Sequence, residues 1–214
     1  EEGSYQKSGT LIGKVSGSAR SILTGERIAL NIIQHASGIA TVTSAYVRKL
    51  KGLLCEVLDT RKTLPGLRVL EKYAVRVGGG TNHRNALDDR FIIKINHLYF
   101  SGGGRSSTPI KDAVSRVKKS RSDLIIEVEI SHIDQLIETL ETEADAIMLS
   151  RLSPSEIKKC VHRINPTGKK AYVESLGTIT LDTVRAYAET GVDGISIGSV
   201  THSVPALDIV MRLK

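Results

Sequence analysis

The chain has 214 residues, 40% of them hydrophobic and 25% charged, with a formal net charge of +7. That suits one ordinary globular domain, or one domain with part of a second. No apolar run approaches the ~20 residues of a membrane helix, and no basic-then-apolar start marks a leader, so the expectation is a cytoplasmic protein. Cys55 and Cys160 are too few for a disulfide framework and lack zinc spacing; both are expected to be reduced core thiols. The sequence pI is about 9.4, yet there is no long like-charged tract, no Trp and only two Phe. That argues against nucleic acid or a membrane surface as partner and favours small anionic ligands.

In chain order, residues 1–17 are rich in Gly and Ser, and 18–50 read as helix, broken or kinked near Gly38. A repeat then begins. Strands are expected at 53–58, 91–95, 124–130, 146–149, 170–174 and 194–200. Helices are expected at 67–77, 109–119, from Ser131, at 155–163 and at 181–190, with a closing helix at 206–213. Ser153-Pro154-Ser155-Glu156 is a capping box with proline at the first helical position; Ser131 and Thr180 offer weaker starts. Alternating strands and helices imply a parallel sheet covered by helices. The strands' nearly consecutive apolar residues suit burial on both faces. A doubly wound sheet and a barrel both fit.

The polar residues favour the barrel. They collect at the C-terminal ends of the strands: Asp59 to Lys62, Lys94 with Asn96 and His97, Glu127 and Glu129, Ser150 and Arg151, Glu174 and Ser175, and Ser196 to Ser199 with Thr201 and His202. In a barrel those ends converge on one face, where active sites lie. Lys94 and Glu129 fall inside apolar strands and need a partner or ligand there. The loops around Gly177 and around Gly198, Ser199 and His202 combine glycine with hydroxyls before helix starts, as phosphate sites do. Between Asp59 and His97 the chain is strongly basic. Arg61 and Arg84 offer planar forks for carboxylates, and Gly78-Gly79-Gly80 gives a loop flexible enough to aim His83 and Arg84. Taken singly, these arginines also fit surface salt bridging.

At these motifs the sequence resembles the quinolinate phosphoribosyltransferase family. The likeness runs from Ser18–Asn31 through Ser37–Thr41, Asp59–Arg68, Gly78–Arg84, the Val128 strand, Ala146–Leu149 and Tyr187–Asp193 to Thr201–Ser203. It implies an incomplete parallel α/β barrel, preceded by helices and the remnant of an N-terminal sandwich domain. On that view 1–50 is the remnant with connecting helices, 51–203 the catalytic barrel and 204–214 a C-terminal helix. The implied activity is phosphoribosyl transfer from phosphoribosyl pyrophosphate to quinolinate with decarboxylation, in NAD biosynthesis.

By the same resemblance, Arg61, His83, Arg84 and Lys94 bind the dicarboxylate, and Arg27 reaches the neighbouring subunit's site in a homodimer. Lys62 serves the pyrophosphate; Lys94 and Glu129 are the catalytic pair. Ser150 lies on the ribose side, and Gly177, Gly198, Ser199 and His202 hold the 5-phosphate. Mg²⁺ is implied, held mainly by the substrate's pyrophosphate, with Glu129 as a weak protein ligand. Four departures accompany the match. Ile95 stands for an aspartate in Lys-Asp-Asn-His, and Ser150-Arg151 for Asp-Asn. Leu176-Gly177-Thr178-Ile179 replaces Ser-Gly-Gly-Ile, and the sandwich domain is reduced to residues 1–17. The chain is thus a piece of a longer or altered protein, or has diverged. A related transferase on another aromatic acid and an inactive scaffold are the alternatives.

Overall fold

The computed structural model describes residues 1–101 and 106–213. Residues 1–18 are exposed irregular chain, followed by helix α1 (Ala19–Lys49). The N-terminal half of α1 stands clear of the core, with Leu23, Ile28, Ile32 and Ile33 exposed, whereas Ile39, Thr43 and Tyr46 are buried. The break expected near Gly38 does not occur. A Cβ there would lie 2.3 Å from the Pro205 carbonyl oxygen, so this glycine admits a neighbour and bends nothing. The neighbour is the tail, residues 204–213, expected as a helix. It runs instead as an irregular strap: the Leu207 N–H donates to Gln34 O (3.1 Å) and Gln34 Nε2 to Ile209 O (2.8 Å). A helix this short is marginal alone, and the strap finds partners on α1 that a helix would forgo.

Beyond α1 the order is β1 (Glu56–Leu58), α2 (Arg68–Val77), β2 (Arg90–Ile93), α3 (Ile95–Ser101), α4 (Pro109–Ser120), β3 (Ile125–Ile130) and α5 (Asp134–Leu140). There follow β4 (Ala146–Ser150), α6 (Pro154–Ile164), β5 (Tyr172–Leu176), α7 (Val184–Ala188), β6 (Gly194–Ser196) and α8 (Ser199–His202). The expected capping box is present: Ser153 Oγ accepts the Glu156 N–H and Glu156 Oε2 accepts the Ser153 N–H at 2.8 Å. The weaker starts fail. α5 begins only at Asp134, with Gln135 Oε1 taking the Ser131 and His132 amides, and Thr180 lies outside α7.

All six strands are parallel, in the order β1-β6-β5-β4-β3-β2. β1 and β2 are the two edges, so the sheet curls as an incomplete TIM-like barrel with one seam open. Residues 80–84 occupy part of that seam. Thr81 bridges Leu58 in parallel, donating to Val57 O (2.8 Å) and accepting from the Asp59 N–H (3.2 Å). His83 and Arg84 therefore emerge at the same end as Asp59 to Lys62.

Strand alternation sends Ile126, Val128, Ile130, Ile147, Leu149, Val173 and Ile195 outward into the helices, where all are buried. The inner positions of β3 and β5 carry Glu127, Glu129 and Glu174. The barrel interior is thus partly ionic, and the carboxylates expected at the strand ends point into it.

Candidate active site at the barrel mouth

Two groups from consecutive strands meet first. Lys94, expected inside a strand, sits one residue beyond β2, and its N–H donates to His97 Nδ1 (3.0 Å). Its ammonium lies 2.9 Å from Glu129 Oε2 on β3, both side chains partly exposed. The two residues expected to need a partner are each other's partner.

The seam supplies the cations. Arg84 is half-buried and donates from Nη1 to Arg90 O at 2.9 Å. Burial, then the neighbouring Arg61 charge, hold its pKa below the usual arginine value. Arg61 is half-buried too, and its Nε is shielded from water with no hydrogen-bond partner. A guanidinium disfavoured by its neighbour's charge, and a neighbour with an orphaned donor, form a place where an anion relieves both.

Beneath them lies a buried ionic network, in which Glu127 Oε1 and Glu174 Oε1 find no hydrogen-bond partner. His83 is buried, its Nε2 3.2 Å from Glu127 Oε2 and 3.0 Å from Glu174 Oε2, while Nδ1 accepts the Arg84 N–H at 2.8 Å. Arg90 reaches Glu127 Oε2 at 3.3 Å. Burial lowers the imidazole pKa but the two carboxylates raise it further, to about 9 on balance. Burial, then the adjacent Glu127 charge, raise Glu174, although His83 opposes them. Burial also works to raise Glu127, but His83 and Arg90 bring it below its ordinary value. The donor atoms of His83, Glu127 and Glu174 lie within 4.8 Å of one another, a spacing that would suit a metal ion. In the neutral ring the Arg84 N–H takes the lone pair of Nδ1, which leaves Nε2 as the N–H that faces the two carboxylates.

The glycines before His83 do not act as a flexible arm. A Cβ at Gly78 would fall 2.5 Å from Ala40 O, and one at Gly80 2.8 Å from Thr43 Cγ2. Gly78 and Gly80 let the seam pack against α1, Gly79 takes the left-handed turn between them (φ 86°), and the aim of His83 and Arg84 is fixed by packing.

The other side of the mouth is built from small residues. Ser150 is buried at the end of β4, paired in register with Leu176. Gly177 follows β5, and a Cβ there would meet only ordinary contacts, with Arg151 Cα and Ile179 Cγ1 both at 3.9 Å. Gly198 and Ser199 open α8, and a Cβ on Gly198 would stand 3.0 Å from the His202 ring and 3.2 Å from Lys62 Cδ. Lys62 is exposed, and its carbonyl accepts from Thr201 Oγ1 at 2.7 Å. Lys62, Gly198 and His202 thus share one corner. Arg27 does not join the others. It is exposed on α1 and forms no ion pair among the described residues. A hollow of about 460 Å³ is an open groove along α4 lined by Lys111, Lys118, Lys119 and Glu141, none of them a mouth residue.

Sequence reasoning passed over the buried supports. Asp59 appeared only as part of a motif, and Lys72 and Arg90 not at all. The signal was there: Lys72 stands among the apolar positions of α2, beside Ala74 and Val75, where a charge has to be paired.

Residues 39–212 match the family model described as quinolinate phosphoribosyl transferase, C-terminal domain, and residues 1–37 match the N-terminal domain model of the same name. The chain is 41% identical over 213 residues to nicotinate-nucleotide pyrophosphorylase [carboxylating] of Mycobacterium leprae, spanning 100% of this chain and 73% of the relative. It is 42% identical to the probable enzyme of the same name from Bacillus subtilis, over 99% and 70%. Among solved structures, NadC from Streptococcus pyogenes superposes with a TM-score of 0.87 at 38% identity, over 97% of this chain and 70% of that one. The nicotinate-nucleotide pyrophosphorylase of Francisella tularensis gives 0.81 at 42% identity, over 89% of this chain and 65% of that one. With both domain models matched in order and this fold beneath them, the chain belongs to the quinolinate phosphoribosyltransferase family.

Proposed function

We infer that the protein is a pentosyltransferase that moves the phosphoribosyl group of phosphoribosyl pyrophosphate onto quinolinate with loss of CO₂, giving nicotinate mononucleotide. The observation that carries this reading is the adjacent Arg61 and Arg84, one with a buried unpartnered Nε, at the end of the barrel where Lys94 and Glu129 also meet. Two fixed cations suit a planar dicarboxylate.

The chemistry asks the protein mainly for positioning and electrostatics. The pyridine nitrogen attacks the anomeric carbon as pyrophosphate departs with the bonding pair. Positive charge builds on the ribose and negative charge on the leaving group. On this reading Glu129 faces the first and Lys62 the second. Lys94, held by Glu129, balances quinolinate's remaining charge. The pyridinium then accepts the electrons of the adjacent C–COO⁻ bond, CO₂ leaves, and a proton takes its place on the ring. Backbone amides around Gly177, Gly198 and Ser199, with His202, would receive the 5-phosphate.

Mg²⁺ would supply Lewis-acid stabilisation of the departing pyrophosphate. The donors at the mouth fit only partly. Glu129 is a single carboxylate already paired with Lys94, while Ile95 is exposed hydrocarbon and Ser150 a buried hydroxyl. One carboxylate suits an ion that arrives with the substrate's phosphates and keeps much of its water. Arg27, standing free on an exposed apolar stretch of α1, supports a homodimer in which each subunit lends an arginine to its partner's site. A cytoplasmic location accords with these soluble, anionic substrates; no helix among the described residues is long and apolar enough to cross a membrane.

The test is calorimetric titration with quinolinate, then with phosphoribosyl pyrophosphate and Mg²⁺, followed by measurement of CO₂ release. Tight binding of quinolinate, poor binding of nicotinate and release of CO₂ are expected. Equal binding of the two acids would break the carboxylate assignment. Binding of both substrates without turnover would favour an inactive scaffold.

A further inference from the structure

The buried pair Asp59 and Lys72 has no place in the chemistry above. Asp59 closes β1 and is fully buried; the Lys72 side chain on α2 is 3% exposed. Their charged groups touch in a short ion pair. Removing two charges from water costs several kcal/mol per ion, and well-packed apolar residues often serve stability as well. Burial raises the Asp59 pKa and lowers that of Lys72, each partner only partly countering it. Global stability is therefore a weak reason for the pair, and what it holds is the better guide.

It holds His83. Asp59 Oδ1 accepts the His83 N–H at 2.8 Å, and Lys72 Nζ donates to the His83 carbonyl at 3.0 Å. Asn82 braces the same point, donating from Nδ2 to Asp59 Oδ2 at 2.5 Å and to the Lys72 carbonyl at 2.9 Å. Both backbone groups of His83 are thus gripped from two elements, β1 and α2. Its ring is gripped from two more, by Glu127 and Glu174 at Nε2, with the Arg84 N–H at Nδ1. Every polar group of His83 is engaged within the chain. Arg84 follows directly, so its guanidinium starts from a backbone that cannot turn.

We propose that Asp59 and Lys72 are positioning residues that clamp the His83 backbone and so set the aim of Arg84 at the quinolinate carboxylate. The proposal rests on the assignment of Arg61 and Arg84 to that carboxylate. The clamp acts on one substrate: it touches the seam, and nothing in it touches Lys62, Gly177, Gly198 or His202. An unclamped Arg84 can still reach a bound dicarboxylate, at the entropic cost of being ordered by the ligand itself. Loss of the clamp is therefore a loss of quinolinate affinity, with little loss of rate once quinolinate saturates the site.

The experiment compares the parent with Asp59→Asn, Lys72→Met and the double variant. Each single change strands or unbalances a buried charge and should lower the melting temperature. The double change removes both charges with near-equal volume and should recover much of that loss. In the folded double variant, KM for quinolinate should rise about ten- to a hundredfold, the range expected of a misplaced binding group. KM for phosphoribosyl pyrophosphate and kcat should stay within about threefold of the parent, since their groups lie outside the clamp. A purely structural pair predicts the opposite, with quinolinate KM returning to the parent value as the melting temperature recovers; that result overturns the proposal. Should the double variant not fold, Asn82→Ala carries the test, since it removes a neutral strut and strands no charge. A raised quinolinate KM supports the clamp, and an unchanged one overturns it. A parent that binds phosphoribosyl pyrophosphate but no quinolinate overturns the carboxylate assignment itself, and is recognised before any variant is made.

Discussion

The two sides of the barrel mouth are built on different principles. The seam side, from Asp59 to Arg84, is a lattice of buried side chains. Asp59, Lys72, His83, Glu127 and Glu174 tie one another down, and the arginines stand on top. The side formed by β4, β5 and β6 has small residues, loose contacts at Gly177 and a helix start at Gly198. A planar acid is recognised by cations at fixed angles, which long side chains can offer only when braced from below. A phosphate is recognised by backbone N–H groups, whose aim comes with the fold and which need only room. The difference teaches where each side is vulnerable: the seam through what lies under it, the far side through anything that fills it.

The largest effect should come from removing a seam cation. Arg84→Ala is expected to weaken quinolinate binding by about 2–3 kcal/mol, because a charged partner of a desolvated carboxylate is lost. Titration with quinolinate and with phosphoribosyl pyrophosphate reads both sides at once, and the second should change little. If both affinities fell together, the two sides would not be separate devices.

Adding one methyl group to each side sharpens the contrast. Gly78→Ala would put a Cβ 2.5 Å from Ala40 O, a backbone atom that cannot yield cheaply, and should destabilise the fold by about 1–3 kcal/mol. Gly177→Ala meets nothing nearer than 3.9 Å and should leave the stability of the fold within about 0.5 kcal/mol of the parent. Its effect should appear instead as a raised KM for phosphoribosyl pyrophosphate. Equal melting temperatures for the two variants would mean that the seam is looser than its contacts imply.

That contrast also sorts what could be read from the sequence. The parallel α/β fold, the Ser153 capping box and the convergence of Arg61, Arg84, Lys94 and Glu129 were legible, because periodicity and strand-end polarity encode them locally. The roles of the seam glycines and Gly38 were not. A glycine needed for φ freedom and one needed for close approach look identical until the neighbour is known, and the neighbours are Ala40, Thr43 and Pro205. The final helix misled for a related reason: its apolar spacing is real, but the backbone bonds to Gln34 win. Arg27 stays apart from the other groups within one chain, and only a second subunit would bring it to a site. Mixing Arg27→Ala with Arg61→Ala protein should restore part of the activity through the one intact site of each heterodimer. No recovery despite proven subunit exchange would remove Arg27 from the site.

The ionic floor of the seam should also leave a pH signature. The His83 pKa is raised from 6.5 to about 9, so its contribution to stability is fully present below pH 6.5 and fades as pH rises through about 9. Melting temperature should therefore decline across that window, and His83→Gln should flatten the decline while lowering the whole curve. An unchanged slope in the variant would mean that the two carboxylates do not hold the His83 ring in its charged form. The Arg84 amide at Nδ1 sets the limit on this effect, because it opposes a second ring proton.

The smallest expected effect belongs to the far side, at Arg151. It is the one non-glycine residue with positive φ among the described residues, at 59°, directly after Ser150 at the end of β4. Its N–H donates to Leu176 O at 2.8 Å, which holds the left-handed turn in place. Left-handed backbone costs an ordinary side chain on the order of 1 kcal/mol, and glycine nothing comparable. Arg151→Gly should therefore gain up to about 1 kcal/mol in the folded state, reduced by the greater freedom of glycine in the unfolded chain. Because the strain sits at the mouth, the same variant measures what it is kept for. If phosphoribosyl pyrophosphate binds less tightly to the more stable protein, the guanidinium contributes to the phosphate side. If stability rises and both substrates bind as before, Arg151 lies outside the site, and the far side is made of backbone and small residues alone.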